Sequence, residues 1–125
     1  MSPDAVTTIK VEGVTFSYGG KETLSDVNFE AKAGEFIGLI GPNGSGKTTL
    51  MRCINGLLRP SKGTIHMDGK STAGMKIKDI AMICANVPAD CNEDFSLTVQ
   101  ELVFLGRYPH VNSMWWESRQ DETVV

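Results

Sequence analysis

The chain has 125 residues, a formal net charge of −3 and a pI near 5.3. That length suits one small domain, and the acidic balance argues against a nucleic-acid-binding surface, so no nucleic-acid partner is expected. The N-terminal MSPDAVTT lacks the basic start and apolar stretch of a signal peptide, and no run approaches membrane-spanning length, so any membrane role must be peripheral.

Ile9 and Val11 alternate on one phase, and Val14, Phe16 and Tyr18 on the other. This predicts a strand from Ile9 to Tyr18 with a bulge or kink at Gly13. Gly19 and Gly20 turn the chain, and the alternation of Val27, Phe29 and Ala31 predicts a second strand antiparallel to the first. After a turn at residues 32–35, the run FIGLI at residues 36–40 is apolar throughout, the pattern of a buried parallel strand. It leads into Gly41, Pro42, Asn43, Gly44, Ser45, Gly46, Lys47, Thr48 and Thr49, a full match to the phosphate-binding pattern GxxxxGK[ST].

The spacing of that motif follows from its chemistry. A triphosphate is held best by several amide N–H groups pointing into one concavity with no side chain in the way. Gly41, Gly44 and Gly46 are expected to leave that space and to allow positive φ. Lys47 supplies a point charge for the β- and γ-phosphates, and the Thr48 hydroxyl is placed to ligate the Mg²⁺ that bridges them. A helix predicted over residues 47–58 carries Leu50, Ile54, Leu57 and Leu58 on one face, with Pro60 as its stop. Its N-terminus adds the positive end of a helix dipole.

Further on, Gly63 opens a short strand over residues 64–67, closed by the turn dipeptide Asp68-Gly69. Residues 76–79 read as a brief helix and residues 80–87 as a further strand of small and apolar residues. A polar loop at residues 88–96 carries Asp90, Glu93 and Asp94. Thr98 and Glu101 form a capping-box pattern for a helix running to Leu105, which Gly106 and Pro109 end. Cys53, Cys84 and Cys91 show no familiar metal spacing and lie far from His66 and His110. They read as reduced thiols, with Cys53 packed in its helix.

With these pieces placed, the chain resembles the front half of an ATP-binding cassette (ABC) transporter ATPase from about Ile9 to Gly106. In FSYG, at residues 16–19, Tyr18 matches the family's aromatic that stacks on adenine; a core or edge tyrosine is the competing reading. Residues 24–69 are similar to the family almost word for word. LTVQELV at residues 97–103, followed by GRYPH at 106–110, resembles the branch that powers uptake of iron-siderophore complexes, haem or cobalamin. A plain helix end, with Gly106 as cap and Arg107 as a solvated charge, stays open.

The resemblance implies an α/β P-loop NTPase core with an N-terminal antiparallel β segment, truncated before the second half of the domain. Residues 1–108 would form the partial core and 109–125 the start of a helical subdomain. It further implies ATP and Mg²⁺ as ligands, and membrane permease subunits with a second ATPase subunit as partners. The place it implies is cytoplasmic, peripheral at the inner face of the cell membrane through the permease.

Two departures qualify the resemblance. Ala89 stands where the family carries a glutamine that ligates Mg²⁺; Asp90 reads as a loop charge, and Gln100 falls inside a predicted helix. After Thr49 no run of four apolar residues ends in an acidic one, and the LSGGQ signature and switch histidine are absent. Hydrolysis in this class needs such a carboxylate. The chain alone is therefore expected to bind Mg-ATP with little or no turnover. Residues 36–40 should keep exposed edges and bare apolar faces, with poor solubility as the consequence. The alternative is a noncatalytic nucleotide-binding or interaction fragment of an interrupted gene. A GTPase lacks support because no NKxD motif is present, and a small-molecule kinase because no arginine-rich late segment is.

Overall fold

The computed structural model of the chain describes residues 9–87 and 98–110. Two strands, β1 (Ile9–Tyr18) and β2 (Lys21–Ala31), form an antiparallel hairpin with Tyr18 opposite Lys21. Gly19 and Gly20 between them have φ of 53° and 89°, the doubly positive conformation whose twist matches a two-residue hairpin. Helix α1 (Lys47–Ile54) follows, then β3 (Lys62–Met67) and the two-residue β4 (Lys70–Ser71), joined by the expected Asp68-Gly69 turn. The sheet order is β2-β1-β3-β4, with every pair antiparallel. Two short helices, α2 (Ile77–Ala81) and α3 (Val99–Leu105), complete the regular elements, with single 3₁₀ turns at Thr72–Gly74 and Tyr108–His110.

One sheet face is apolar and the other charged. Val11, Val14, Leu24, Ile65 and Met67 are buried together, and α1 lays Leu50, Cys53 and Ile54 against them. Each such side chain contributes roughly 1.5–3 kcal/mol on full burial. On the other phase Lys10 pairs across with Glu30 of β2 and His66 of β3, and its ammonium lies 2.7 Å from the Glu12 carboxylate. The expected phase change at Gly13 is a bulge. Gly13 has φ 61°, the register shifts between Val11 and Val14, and the Gly13 N–H donates to Asn28 Oδ1 at 2.7 Å.

A second irregularity extends β2 beyond the alternation that announced it. Asp26 has φ 47°, and its N–H donates to Thr15 Oγ1 at 3.2 Å. The register shifts between Val27 and Leu24, so both face the core although they differ in parity. This kink is what turns Leu24 toward α1.

Three expectations are corrected. Helix α1 ends at Ile54 rather than Leu58. Gly56 (φ 72°) makes a Schellman stop in which the Leu57 N–H donates to Arg52 O and the Gly56 N–H to Cys53 O. Leu57 is consequently exposed, while Leu58 still packs on the core. Residues 80–87 are not a strand, because Ile80 ends up in α2 and the next turn continues through Cys84 N–H to Ile80 O at 2.8 Å. Ile80, Ile83 and Cys84, at helical i, i+3, i+4 spacing, pack inward, with Ile80 lying against Gly56. Residues 36–40 also form no strand: the edges of the sheet are β2 and β4, and neither pairs with them. Phe36 and Ile40 are 99% and 98% exposed, in line with the expected bare apolar faces.

Residues 88–97 and 111–125 lie outside the described ones. The polar loop with Ala89 and Asp90, Cys91 and the expected helical tail therefore carry no structural statement.

Candidate functional site: a phosphate loop backed by the hairpin

Residues 41–46 cross from the exposed segment to the N-terminus of α1, and the motif's residues differ in what they do there. Gly44 and Gly46 have φ of 79° and 93°, as the loop was expected to require, but Gly41 does not have positive φ. Gly41 is needed for space instead: a Cβ there would lie 2.8 Å from Ser45 Oγ. The Ser45 N–H donates to Pro42 O at 3.2 Å, closing the turn through Asn43 and Gly44.

Lys47 folds back over this turn. Its ammonium donates to Gly41 O at 2.7 Å, to Pro42 O at 2.8 Å and to Ser45 Oγ at 3.3 Å. A positive charge is thus held above a loop whose N–H groups include the first turn of a helix. Gly46, the N-cap of α1, offers no side chain to that turn, and no acidic residue occupies it. Helix α3 treats its own N-terminus oppositely, with Thr98 Oγ1 accepting from Glu101 N–H and Glu101 Oε2 accepting from Thr98 N–H at 2.7 Å. Those bonds hold the Glu101 carboxyl below the usual carboxylate range, the Thr98 backbone N–H contributing most.

Thr48 and Thr49 diverge. Thr48 is exposed at the mouth of the loop, whereas Thr49 is buried with Leu50 under it. The Thr48 side chain is therefore open to solvent, whereas Thr49 packs into the interior.

Tyr18 ends β1 at 46% exposure, its ring edge-on to Phe16 with centroids 4.8 Å apart and planes at 79°. At that exposure part of the Tyr18 side chain stays open to solvent. Phe16 in turn pairs across the hairpin with Leu24. A Cβ at Gly46 would meet Leu24 Cδ2 and Thr23 O, each at 2.9 Å. The hairpin therefore backs directly onto the start of α1. Sequence reasoning missed Leu24 and Thr23, because the phase change at Asp26 hides the strand on which they lie.

The later motif is only partly assembled. Gly106 ends α3 with φ −64°, so it is not a left-handed cap, and the Arg107 N–H continues the turn to Phe104 O at 2.9 Å. Arg107 is half-buried rather than solvated, Gln100 is exposed on α3, and Tyr108–His110 form a 3₁₀ turn. Burial raises the thiol pKa of both Cys53 and Cys84, which suits packed rather than reactive cysteines. Among the described residues no helix is long and apolar enough to cross a membrane.

Residues 24–124 match the model of the family described as ABC transporter. The petrobactin import ATP-binding protein FpuC of Bacillus anthracis is 40% identical over 117 residues, covering 94% of this chain and 43% of that protein. The hemin import ATP-binding protein HmuV of Gloeobacter violaceus is 34% identical over 117 residues, with 94% and 42% covered. The cobalamin import ATP-binding protein BtuD of Halobacterium salinarum is 36% identical over 103 residues, with 82% and 26% covered. The chain thus spans less than half the length of these relatives. In structure, it resembles a bacterial Atm1-family ABC exporter with ATP bound, with a TM-score of 0.57, 28% identity and coverage of 62% of this chain and 15% of that one. The phosphate loop at the head of α1 is therefore that of an ABC ATPase domain with a P-loop NTPase fold, and the chain belongs to the ABC transporter family.

Proposed function

We propose that the chain binds Mg-ATP through residues 41–49 and Tyr18, as part of the ATP-binding subunit of an ABC importer for a metal chelate such as an iron-siderophore complex or cobalamin. The observation that carries this reading is the loop itself: Lys47 is drawn over it by Gly41 O, Pro42 O and Ser45 Oγ, and the N-terminus of α1 behind it is left without a side-chain cap. Gly44 and Gly46, with φ of 79° and 93°, give the loop the left-handed turns by which successive backbone N–H groups would face an anion. Lys47 would turn from the carbonyls to the β- and γ-phosphates, and free N–H groups at the head of α1 would complete the cradle. Mg²⁺ would be held by Thr48 and would neutralise phosphate charge. Tyr18 would stack on the base.

The importer reading rests on the FpuC, HmuV and BtuD likenesses, and on GRYPH at residues 106–110. Permease subunits and a second ATPase subunit are the partners it implies, at the inner face of the membrane. Positioning without a carboxylate to orient water leaves binding as the activity of this chain by itself. The exposed apolar run at residues 36–40 favours a second reading, a noncatalytic nucleotide-binding or interaction fragment.

Equilibrium titration with Mg-ATP and Mg-GTP tests the site. Lys47→Ala should lower ATP affinity at least about tenfold by removing a charge-assisted contact. Tyr18→Ala should lower it by a comparable factor, since stacking on one base is worth about 1–3 kcal/mol. A strong GTP preference, or ATP affinity unchanged in Lys47→Ala, would overturn the assignment. Hydrolysis above background that vanishes in Lys47→Ala would overturn the binding-only part.

A further inference from the structure

A nucleotide held in this way touches two separate elements: its base meets the end of β1, and its phosphates meet the head of α1. Covalent geometry bounds how far it can reach, so the spacing between those elements governs whether both ends are engaged at once. We propose that Leu24 is a positioning residue that sets the spacing between Tyr18 and the phosphate loop, a role that rests on the Mg-ATP reading above.

Leu24 is buried and lies between the two ends of the site. Towards the loop, its Cδ2 stands where a Cβ on Gly46 would come within 2.9 Å, beside Thr23 O at the same distance. Gly46 is itself buried with φ 93°, so the N-cap of α1 rests on β2 with only the width of a glycine to spare. Towards the base end, Leu24 pairs across the hairpin with Phe16, whose ring is edge-on to Tyr18 at 4.8 Å. One cross-strand pair, Phe16 and Leu24, thus separates the ring of Tyr18 from the backbone of Gly46. The kink at Asp26, bonded to Thr15, aims Leu24 at α1.

Shortening Leu24 removes atoms from that contact, and the head of α1 relaxes towards the gap. The loop keeps its internal bonds, because Lys47 and Ser45 are tied within the loop itself. What changes is where the loop lies relative to Tyr18. A ligand that spans both ends loses the fit, and a ligand that uses only the loop does not.

The test compares Mg-ATP with inorganic tripolyphosphate and Mg²⁺ on the full chain. Leu24→Ala should weaken ATP about tenfold, bounded by what stacking on Tyr18 contributes, and tripolyphosphate less than about threefold. Leu24→Met, which keeps the volume, should restore ATP affinity to within about twofold of wild type. Ile65→Ala opens a cavity in the same core on β3, opposite Val11 of β1. It should leave the ratio of the two affinities unchanged. In a Tyr18→Ala background, Leu24→Ala should add little further loss for ATP. Should Leu24→Ala fail to fold, Leu24→Val, one methylene shorter, should shift the ratio in the same direction by about threefold.

Equal weakening of both ligands by the Leu24 variants would overturn the proposal while leaving the nucleotide reading intact. So would a ratio change of the same size in Ile65→Ala. If the wild-type chain bound tripolyphosphate and ATP equally, Tyr18 stacking would fail and this inference with it.

Discussion

Met67 in β3 and Phe36 just before the phosphate loop are both large and apolar, yet one is 0% exposed and the other 99%. The two regions differ in what each needs from the rest of the chain. β3 pairs antiparallel to β1, although β2 and α1 lie between them in the chain, and shows one apolar face, which α1 covers; its partners for face and edge are all present among the described residues. Residues 36–40 are apolar on both faces, so they need cover on each side and a strand at each edge. Parallel partners arrive only through long crossover connections. Among the described residues nothing pairs with this run. A partner for each face and edge, not hydrophobicity, separates a packed strand from a bare one here.

The sharpest way to break the comparison is to damage its packed side. Met67→Ala removes one of the largest fully buried side chains and should cost about 2–5 kcal/mol. In a chain of this size that is a large share of the total stability. Urea denaturation followed by circular dichroism reads the effect; a loss under about 1 kcal/mol would mean that the sheet is not a packed unit.

What was legible in the sequence followed another line, between local and distant signals. The hairpin could be read because its signals are local: alternation from Ile9 to Tyr18, a phase change at Gly13, and two glycines at the turn. The phosphate loop is contiguous, and the Thr98–Glu101 cap spans four residues. Misreadings arose where two local rules competed. Gly56 stops α1 before Pro60 can, because a left-handed residue satisfies the last carbonyls directly. Ile80, Ile83 and Cys84 have helical spacing inside a run that also reads as a strand. Leu24 was hidden for another reason. Its contact with Gly46 joins elements separated by more than twenty positions in sequence, and a kink at Asp26 breaks the period that would have announced it.

On the bare side the expected effects are smaller. Phe36→Ser with Ile40→Ser removes two rings or branches that touch almost nothing. The stability of the sheet should change by less than about 0.5 kcal/mol. Solubility should rise, because the change dissolves an exposed apolar run next to unpaired backbone. Static light scattering at matched concentration measures this. A stability loss comparable to that of Met67→Ala would show that the run is covered in solution and would close the gap between the two regions.

Helix α3 tests whether burial is the only route to order. None of its residues is buried, and Val99, Leu102, Val103 and Leu105 are all exposed. A seven-residue helix is marginal without packing. What holds it is the reciprocal cap, in which Glu101 accepts from the Thr98 N–H and hydroxyl. Those bonds lower the Glu101 carboxyl below the value of a free glutamate, 4.5. The support is therefore complete above the unfolded-state value and is lost as pH falls through the lower folded one. On acidification the Thr98 and Glu101 amide signals should shift together in NMR, with α3 fraying while β1 and β3 keep their dispersion. Glu101→Gln should remove that pH dependence while retaining a neutral cap. Titration of Glu101 at the free-glutamate value, or simultaneous loss of α3 and the sheet, would mean that something other than the cap holds this helix.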